Sequence, residues 1–422
     1  MTPEDRAVDA VDALGEEYLR FLADLVRCPT LLGQEAECQE LICRRLVDLG
    51  LETRKWEPAP DLLESHPDFV PVERDYAGRP NVAGVLVPTG SGGRSLVLNG
   101  HVDVVPLGPL HWWSVDPWGA EVRDGRMYGR GALDMKSGLV AALLAVAAVR
   151  ESGARLRGPV RVESVIEEEC TGNGMLASRL DSGPVDGAVL TEPTGLQVWI
   201  ATLGVLWFEV CVRGRPAYVG DPGRQVNAVE KAASVIHRLK PAVVEALNRD
   251  FRHPSYGHRP RPLSLNVGRI EGGDWPSNVA LECRFDCRMS FPIDWPPERA
   301  QEFAEDQVRR AAAPDPWLVR NPPRIRYNGF RARGWVAPEI AGRDSLVDVL
   351  EECHRGVTGR KLDWDGFPGT ADARYFKAAL GEQSIYYGPK GGNLHAPDEY
   401  VELDSVLEAA RVLSRLVIRW CG

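Results

Sequence analysis

Several side chains able to hold a cation or move a proton stand where apolar runs of this sequence end. The run Ser95-Leu96-Val97-Leu98-Asn99-Gly100 stops at His101-Val102-Asp103. Residues two apart in extended chain point to one side, so His101 and Asp103 leave the strand together. A carboxylate beside a histidine suits a metal ligand with its orienting partner, although a polar strand end alone explains the pair as well. Asp134 follows a glycine-rich stretch, Asp124 to Gly131, and precedes an apolar helix. It either caps that helix or projects a carboxylate from a rigid turn into a site formed with His101.

Glu167, Glu168 and Glu169 follow another strand-like run, and three adjacent carboxylates repel one another. They are a solvated acidic loop, or they flank a cation that reverses the repulsion, one as ligand and the next as a base. Glu192 ends a third apolar run in Thr191-Glu192-Pro193-Thr194, and His395 lies in a glycine-rich loop near the C-terminus.

The elements that must position these groups follow from periodicity. Residues 16–49 read as two amphipathic helices broken at Cys28-Pro29-Thr30, where proline interrupts the pattern. Glu57 to Pro80 looks like a long surface excursion. Strands are expected over Asn81–Val87 and Ser95–Asn99, joined as a hairpin by a glycine cluster lacking the Lys-Ser/Thr of a phosphate loop. A buried helix over Leu133–Arg150 and strands over Val160–Ile166 and Gly187–Leu190 complete an α/β pattern with helices on both faces. From Gly204 the texture changes to strands (205–212, 263–271, 278–289, 324–327) and two helices (227–239, 297–312), an α+β unit inserted before the α/β pattern resumes. The expected domains are 1–203 and 331–422 for the host and 204–330 for the insertion. Such junctions favour ligand sites.

Composition narrows the function. A chain of 422 residues, 44% apolar and 26% charged, is ordinary for a globular protein. A formal charge of −10 offers no basic field for nucleic acid. The nine scattered cysteines include no C-x-x-C, and the acidic start lacks the order of a secretory signal, so reduced thiols and a cytoplasmic location are expected. The longest apolar run, Leu139 to Val149, falls short of the ~20 residues that span a bilayer, so no membrane partner is expected.

In this order, His-x-Asp, Asp, Glu-Glu, Glu and His resemble the acetylornithine deacetylase / succinyl-diaminopimelate desuccinylase family of dinuclear zinc amidohydrolases (metallopeptidase clan MH), which also includes carboxypeptidases, dipeptidases and aminoacylases. GHVDVVP, YGRGALDMKSG, EEECTGNG, TEPTG, GTADAR, YYGP and LHAPDE carry the resemblance over residues 20–415. GRPNVAG, closing the excursion, looks most like the acetylornithine deacetylase-type deacylases.

The resemblance implies an α/β catalytic domain of the zinc-exopeptidase kind, a mixed sheet flanked by helices, with an inserted α+β sandwich serving as lid and dimerisation domain. It implies two zinc ions, replaceable by cobalt or manganese, bridged by Asp134 and a water or hydroxide. His101 and Glu192 complete one shell, Glu169 and His395 the other. Asp103 orients His101, and Glu168 is the general base for amide hydrolysis. Asn227, Asn278 and Arg288 fall where the family grips a substrate carboxylate, although a turn asparagine and a surface arginine are equally consistent. Thr370, Asp372 and Arg374 of the host domain line or brace the pocket.

One position departs from the pattern. The family's glycine-arginine-x-alanine-histidine stretch, whose histidine stabilises the oxyanion in a partner subunit's site, is here Gly214-Arg215-Pro216-Ala217-Tyr218. Either the Tyr218 hydroxyl donates instead, or the substrate or reaction is unusual, or hydrolysis has been lost. The expectation is a homodimeric deacylase of N-acyl amino acids or related metabolites. A carboxypeptidase or dipeptidase acting on short peptides, and a non-hydrolytic member altered at Tyr218, are the alternatives.

Overall fold

The computed structural model describes all residues except 73–74, 219, 221–222 and 339–344. The chain forms two compact units, one of Met1–Ile200, Ala337–Asp365 and Ala371–Gly422, the other of Ala201–Val336 and Gly366–Thr370. The return of 366–370 to the second unit, outside the expected 204–330, is fixed by hydrogen bonds. The Leu203 amide donates to the Gly369 carbonyl (2.8 Å), and the Tyr256 hydroxyl donates to the Phe367 carbonyl (2.7 Å). Thr370, expected in the host, therefore belongs to the second unit.

The first unit is α/β. Its strands run in the order Glu52–Trp56, Asn81–Leu86, Val160–Val165, Leu96–His101, Gly187–Leu190 and Gln383–Tyr386. The first two pairings are antiparallel and the next three parallel, so the sheet is mixed. Strands 81–86 and 96–101 are not a hairpin, because Val160–Val165 lies between them. Every residue of Leu96–His101 is buried, and such a strand gains most from a central parallel place with both faces covered.

Helix Ser137–Glu151 packs on Pro3–Arg27 and Leu403–Cys421. The stretch Ala132–Glu151 has the length and composition of a membrane span, but it is buried in the protein from Ala132 to Val149, as a core helix is. The helix proper begins at Ser137, and the turn Ala132–Lys136 before it is irregular. The excursion before Pro80 is not confined to the surface. It buries Leu63, Val70, Tyr76 and Arg79, because Tyr76 and Arg79 find buried carboxylate partners.

The second unit is an antiparallel sheet in the order Leu265–Gly272, Glu282–Phe291, Gly204–Arg213 and Arg324–Arg326. Alternate residues, Leu206, Phe208, Val210 and Val212 with Cys283, Phe285, Cys287 and Met289, turn one face inward. Helices Ala228–Arg249 and Pro297–Ala312 cover that face through Ala232, Val235, Leu239, Ala300, Ala304 and Val308. The result is a two-layer α+β sandwich.

Candidate metal centre

Three parallel strands end together. His101 pairs with Val165 in register, and Asn99 with Leu190, so His101, the turn after Val165 and Glu192 emerge at one C-terminal sheet edge. Ligands of open α/β sheets bind at such edges. Helix Ser137–Glu151 starts against this edge, where a Cβ on Gly138 would stand 1.8 Å from the Thr191 carbonyl oxygen. That contact holds Asp134, just before the helix, near Glu192.

His101 is fully buried. Its Nδ1 lies 2.9 Å from the Asp103 carbonyl oxygen, an acceptor only, so Nδ1–H donates and Nε2 is the atom left to take a proton or a metal ion. Nε2 faces Asp134 Oδ1 at 3.4 Å, Glu168 Oε2 at 3.9 Å and Glu192 Oε2 at 4.0 Å. No described residue donates a hydrogen bond to it. A buried Nε2 without a proton, aimed at three carboxylates, is repulsive unless positive charge sits among them. The same demand appears in the acid–base balance. Burial opposes a charged imidazole, yet Asp134, Asp103, Glu192 and Glu168 together hold the His101 pKa well above its usual value.

Asp134 does not cap the helix: Lys136 holds the N-cap position, with no side-chain cap bond. Its second oxygen, Oδ2, lies 3.1 Å from His395 Nε2, which is 3.3 Å from Glu169 Oε2. Burial works to raise the Asp134 pKa, but the two imidazoles of His101 and His395 keep it well below the usual carboxylate range. Burial likewise opposes a charged His395, but Glu169 and Asp134 raise it to about 11. Burial and then the Asp372 charge push Glu168 well up, and burial does the same for Glu192. Glu168 Oε1 has no hydrogen-bond partner among the described residues.

These groups fit divalent ions. Two ligand atoms each about 2.1 Å from one tetrahedral ion stand about 3.4 Å apart, which matches the His101–Asp134 and His395–Glu169 separations of 3.4 and 3.3 Å. The sets His101, Asp134, Glu169 and His101, Glu168, Glu192 each bring their ligand atoms within 4.8 Å of one another.

Asp103 acts differently from the expectation. Its backbone carbonyl orients His101, while its carboxylate, 3.6 Å from Nδ1, accepts the Glu168 and Glu169 amides at 3.1 and 3.0 Å. It sets the acidic turn because two adjacent N–H groups offer a carboxylate better hydrogen bonds than one ring edge.

Glu399 was not singled out by sequence reasoning. Its Oε1 accepts the Leu133 and Asp134 amides (3.0 and 3.1 Å), and its other oxygen pairs with buried Arg130. The LHAPDE motif holds it, but no spacing rule links it to Asp134.

Arg374 is a brace: it donates to the Ala371 carbonyl (2.9 Å) and the Thr171 carbonyl (3.3 Å) and is buried. Asp372, also buried, has both oxygens without hydrogen-bond partners among the described residues, and burial raises its pKa to about 6.

The remaining expected residues lie on the second unit. Asn227 caps helix Ala228–Arg249, accepting the Val229 amide at 2.9 Å. Asn278 donates to Asp274 at 3.2 Å, and half-buried Arg288 reaches Ser264 Oγ at 3.4 Å. Tyr218, 78% exposed, borders a concavity of about 410 Å³ together with Asn278, Asp274 and Glu282.

The Peptidase family M20/M25/M40 model matches residues 97–419. An N-formyl-4-amino-5-aminomethyl-2-methylpyrimidine deformylase of Halalkalibacterium halodurans is 26% identical over 97% of this chain and 96% of that protein. A succinyl-diaminopimelate desuccinylase of Thioalkalivibrio sulfidiphilus is 26% identical over 96% of this chain and 98% of that protein. The solved structure of the dipeptidase Dug1p from Saccharomyces cerevisiae superposes with a TM-score of 0.78 at 15% identity, covering 100% of this chain and 99% of that one.

Proposed function

This chain belongs to peptidase family M20/M25/M40, and on that premise we propose that it is a dinuclear metal-dependent deacylase, releasing an acyl group from the amine of an N-acyl amino acid or related small metabolite. The observation that carries the proposal is the buried His101 Nε2 facing Asp134, Glu168 and Glu192 with no hydrogen-bond partner among the described residues. A deacylase is favoured over a peptidase because two relatives matched over nearly their whole length are named for removing formyl and succinyl groups.

In this reading His101 and Glu192 hold one ion, Glu169 and His395 the other, and Asp134 faces both imidazoles with separate oxygens. Zinc is the ion proposed, with cobalt or manganese able to replace it in an N/O site. Bound there, the ions supply a Lewis acid for the amide carbonyl and lower the pKa of water towards about 7. Glu168 takes the proton of the attacking water and returns it to the departing amine nitrogen. Its buried carboxylate has one oxygen without a partner among the described residues, as a base awaiting its acid requires. Asp103 fixes the backbone of Glu168 and Glu169 by accepting their amides.

Tyr218 is assigned as the oxyanion donor in place of a histidine, acting in a cytoplasmic homodimer formed through the second unit. Asn278 and Arg288 are assigned to the substrate carboxylate. Asn227 holds their unit's helix start.

A panel of N-formyl, N-acetyl and N-succinyl amino acids and of dipeptides, assayed for released amine with Zn²⁺ or Co²⁺ added, tests the reading. Turnover of N-acyl compounds in preference to dipeptides is expected. Turnover confined to dipeptides makes the protein a peptidase, and no hydrolysis by the two-ion form makes it a binding protein.

A further inference from the structure

The excursion before Pro80 does more than decorate the surface. Arg79, 5% exposed, sits between two carboxylates that are fully buried, Glu35 and Glu167. Its Nε and Nη2 donate to the two oxygens of Glu35 at 3.1 and 2.6 Å, and its Nη1 donates to Glu167 Oε1 at 2.7 Å. The fork serves both acids at once, a geometry that lysine's single ammonium does not reproduce. The other oxygen of Glu167 accepts the Tyr76 hydroxyl at 3.0 Å and the Thr171 hydroxyl at 2.9 Å. Asn173 in turn donates to the Tyr76 hydroxyl at 2.9 Å and exchanges hydrogen bonds with the Val70 backbone at 3.1 and 2.7 Å.

Glu167 is where this network meets the candidate metal centre. Its φ is +62°, in the left-handed region that residues other than glycine rarely occupy. That conformation reverses the chain between the strand Val160–Val165 and Glu168, and the Glu167 carbonyl then accepts the Thr171 and Gly172 amides at 3.2 and 2.7 Å. Asp103 also grips the turn, through the Glu168 and Glu169 amides. A side chain anchored at both carboxylate oxygens holds an unfavourable backbone geometry in place. The first glutamate of the triplet therefore points away from the other two and fixes where they face.

We propose that Tyr76 and Arg79, carried in by the excursion, are positioning residues that set Glu168 and Glu169 through Glu167. The inference rests on the deacylase reading for what Glu168 and Glu169 do, but it is tested independently of activity. The variants are Tyr76→Phe, which removes one hydroxyl and leaves no buried charge unpaired, and Arg79→Lys, which keeps the charge and loses the fork. Each is titrated with Co²⁺ while the cobalt absorption spectrum is recorded, and thermal midpoints of the metal-free proteins are compared. Losses of outer-shell partners cost about 10–100-fold in metal affinity or turnover. The expected result is a fall of that order in Co²⁺ affinity or kcat, a changed cobalt spectrum and an unchanged KM, with Tyr76→Phe keeping the wild-type midpoint.

A wild-type spectrum, affinity and kcat in Tyr76→Phe and in every folded Arg79→Lys preparation overturns the inference, as does a lowered midpoint with all three unchanged. Failure of the deacylase reading looks different: the unaltered protein would then take up Co²⁺ without hydrolysing any N-acyl compound, while the spectral comparison still decides the positioning role.

Discussion

The metal-centre edge of the first unit and the Tyr218 face of the second unit are built in opposite ways. At the first, three segments are held by buried partners: His101 by the Asp103 carbonyl, the Glu168–Glu169 turn by the Asp103 carboxylate, and the Asp134 backbone by Glu399. At the second, Tyr218 is 78% exposed and the Asn278 side chain donates to the neighbouring loop carboxylate of Asp274. Reactive groups that must face one another unsolvated need a rigid frame, because an unpaired buried charge is costly. Groups that meet a substrate need reach instead. The contrast predicts that changes at the first region act on metal and chemistry, and changes at the second act on transition-state contacts or on stability.

Asp134→Ala breaks the comparison most severely. It removes the carboxylate that faces both imidazoles, and both ions and all turnover above background should be lost, as measured by elemental analysis and amine release. Glu168→Ala sharpens it: the protein should retain both ions while turnover drops by about 10²–10⁴-fold. Full activity in a metal-loaded Glu168→Ala protein removes Glu168 from the base role. Tyr218→Phe should lower kcat by about 10²–10³-fold, the usual effect of one oxyanion donor, without changing metal content; an unchanged kcat rejects the donor role. Asn227→Ala should destabilise by about 1 kcal/mol, as loss of a helix cap does, with KM unaltered. A raised KM at unchanged stability makes Asn227 a substrate contact instead.

The sequence discloses the first region better than the second, for a physical reason. His101, Glu192 and the acidic triplet each follow a short run that reads as a strand, and strand ends at one sheet edge converge whatever the sequence distance between them. The inserted α+β unit is likewise readable from period-2 strands and two amphipathic helices. What spacing does not carry is partnership across the fold. Nothing in the run from Glu57 to Pro80 says that Arg79 will meet Glu35 and Glu167, so polar composition there reads as solvent exposure. The hairpin expected between Val87 and Ser95 fails for the same reason, since strand adjacency along the chain does not reveal that Val160–Val165 inserts between the two. Asp103 lies between these cases: its place beside His101 is plain, but its carboxylate serves amides 65 and 66 residues away.

The central claim is that His101, Asp134, Glu169, Glu192 and His395 hold two divalent ions. Elemental analysis of the metal-free protein refilled with Zn²⁺ and passed through a desalting column measures it directly. The account predicts two equivalents per chain, falling to none in Asp134→Ala. A refilled, folded protein that retains no transition metal contradicts it.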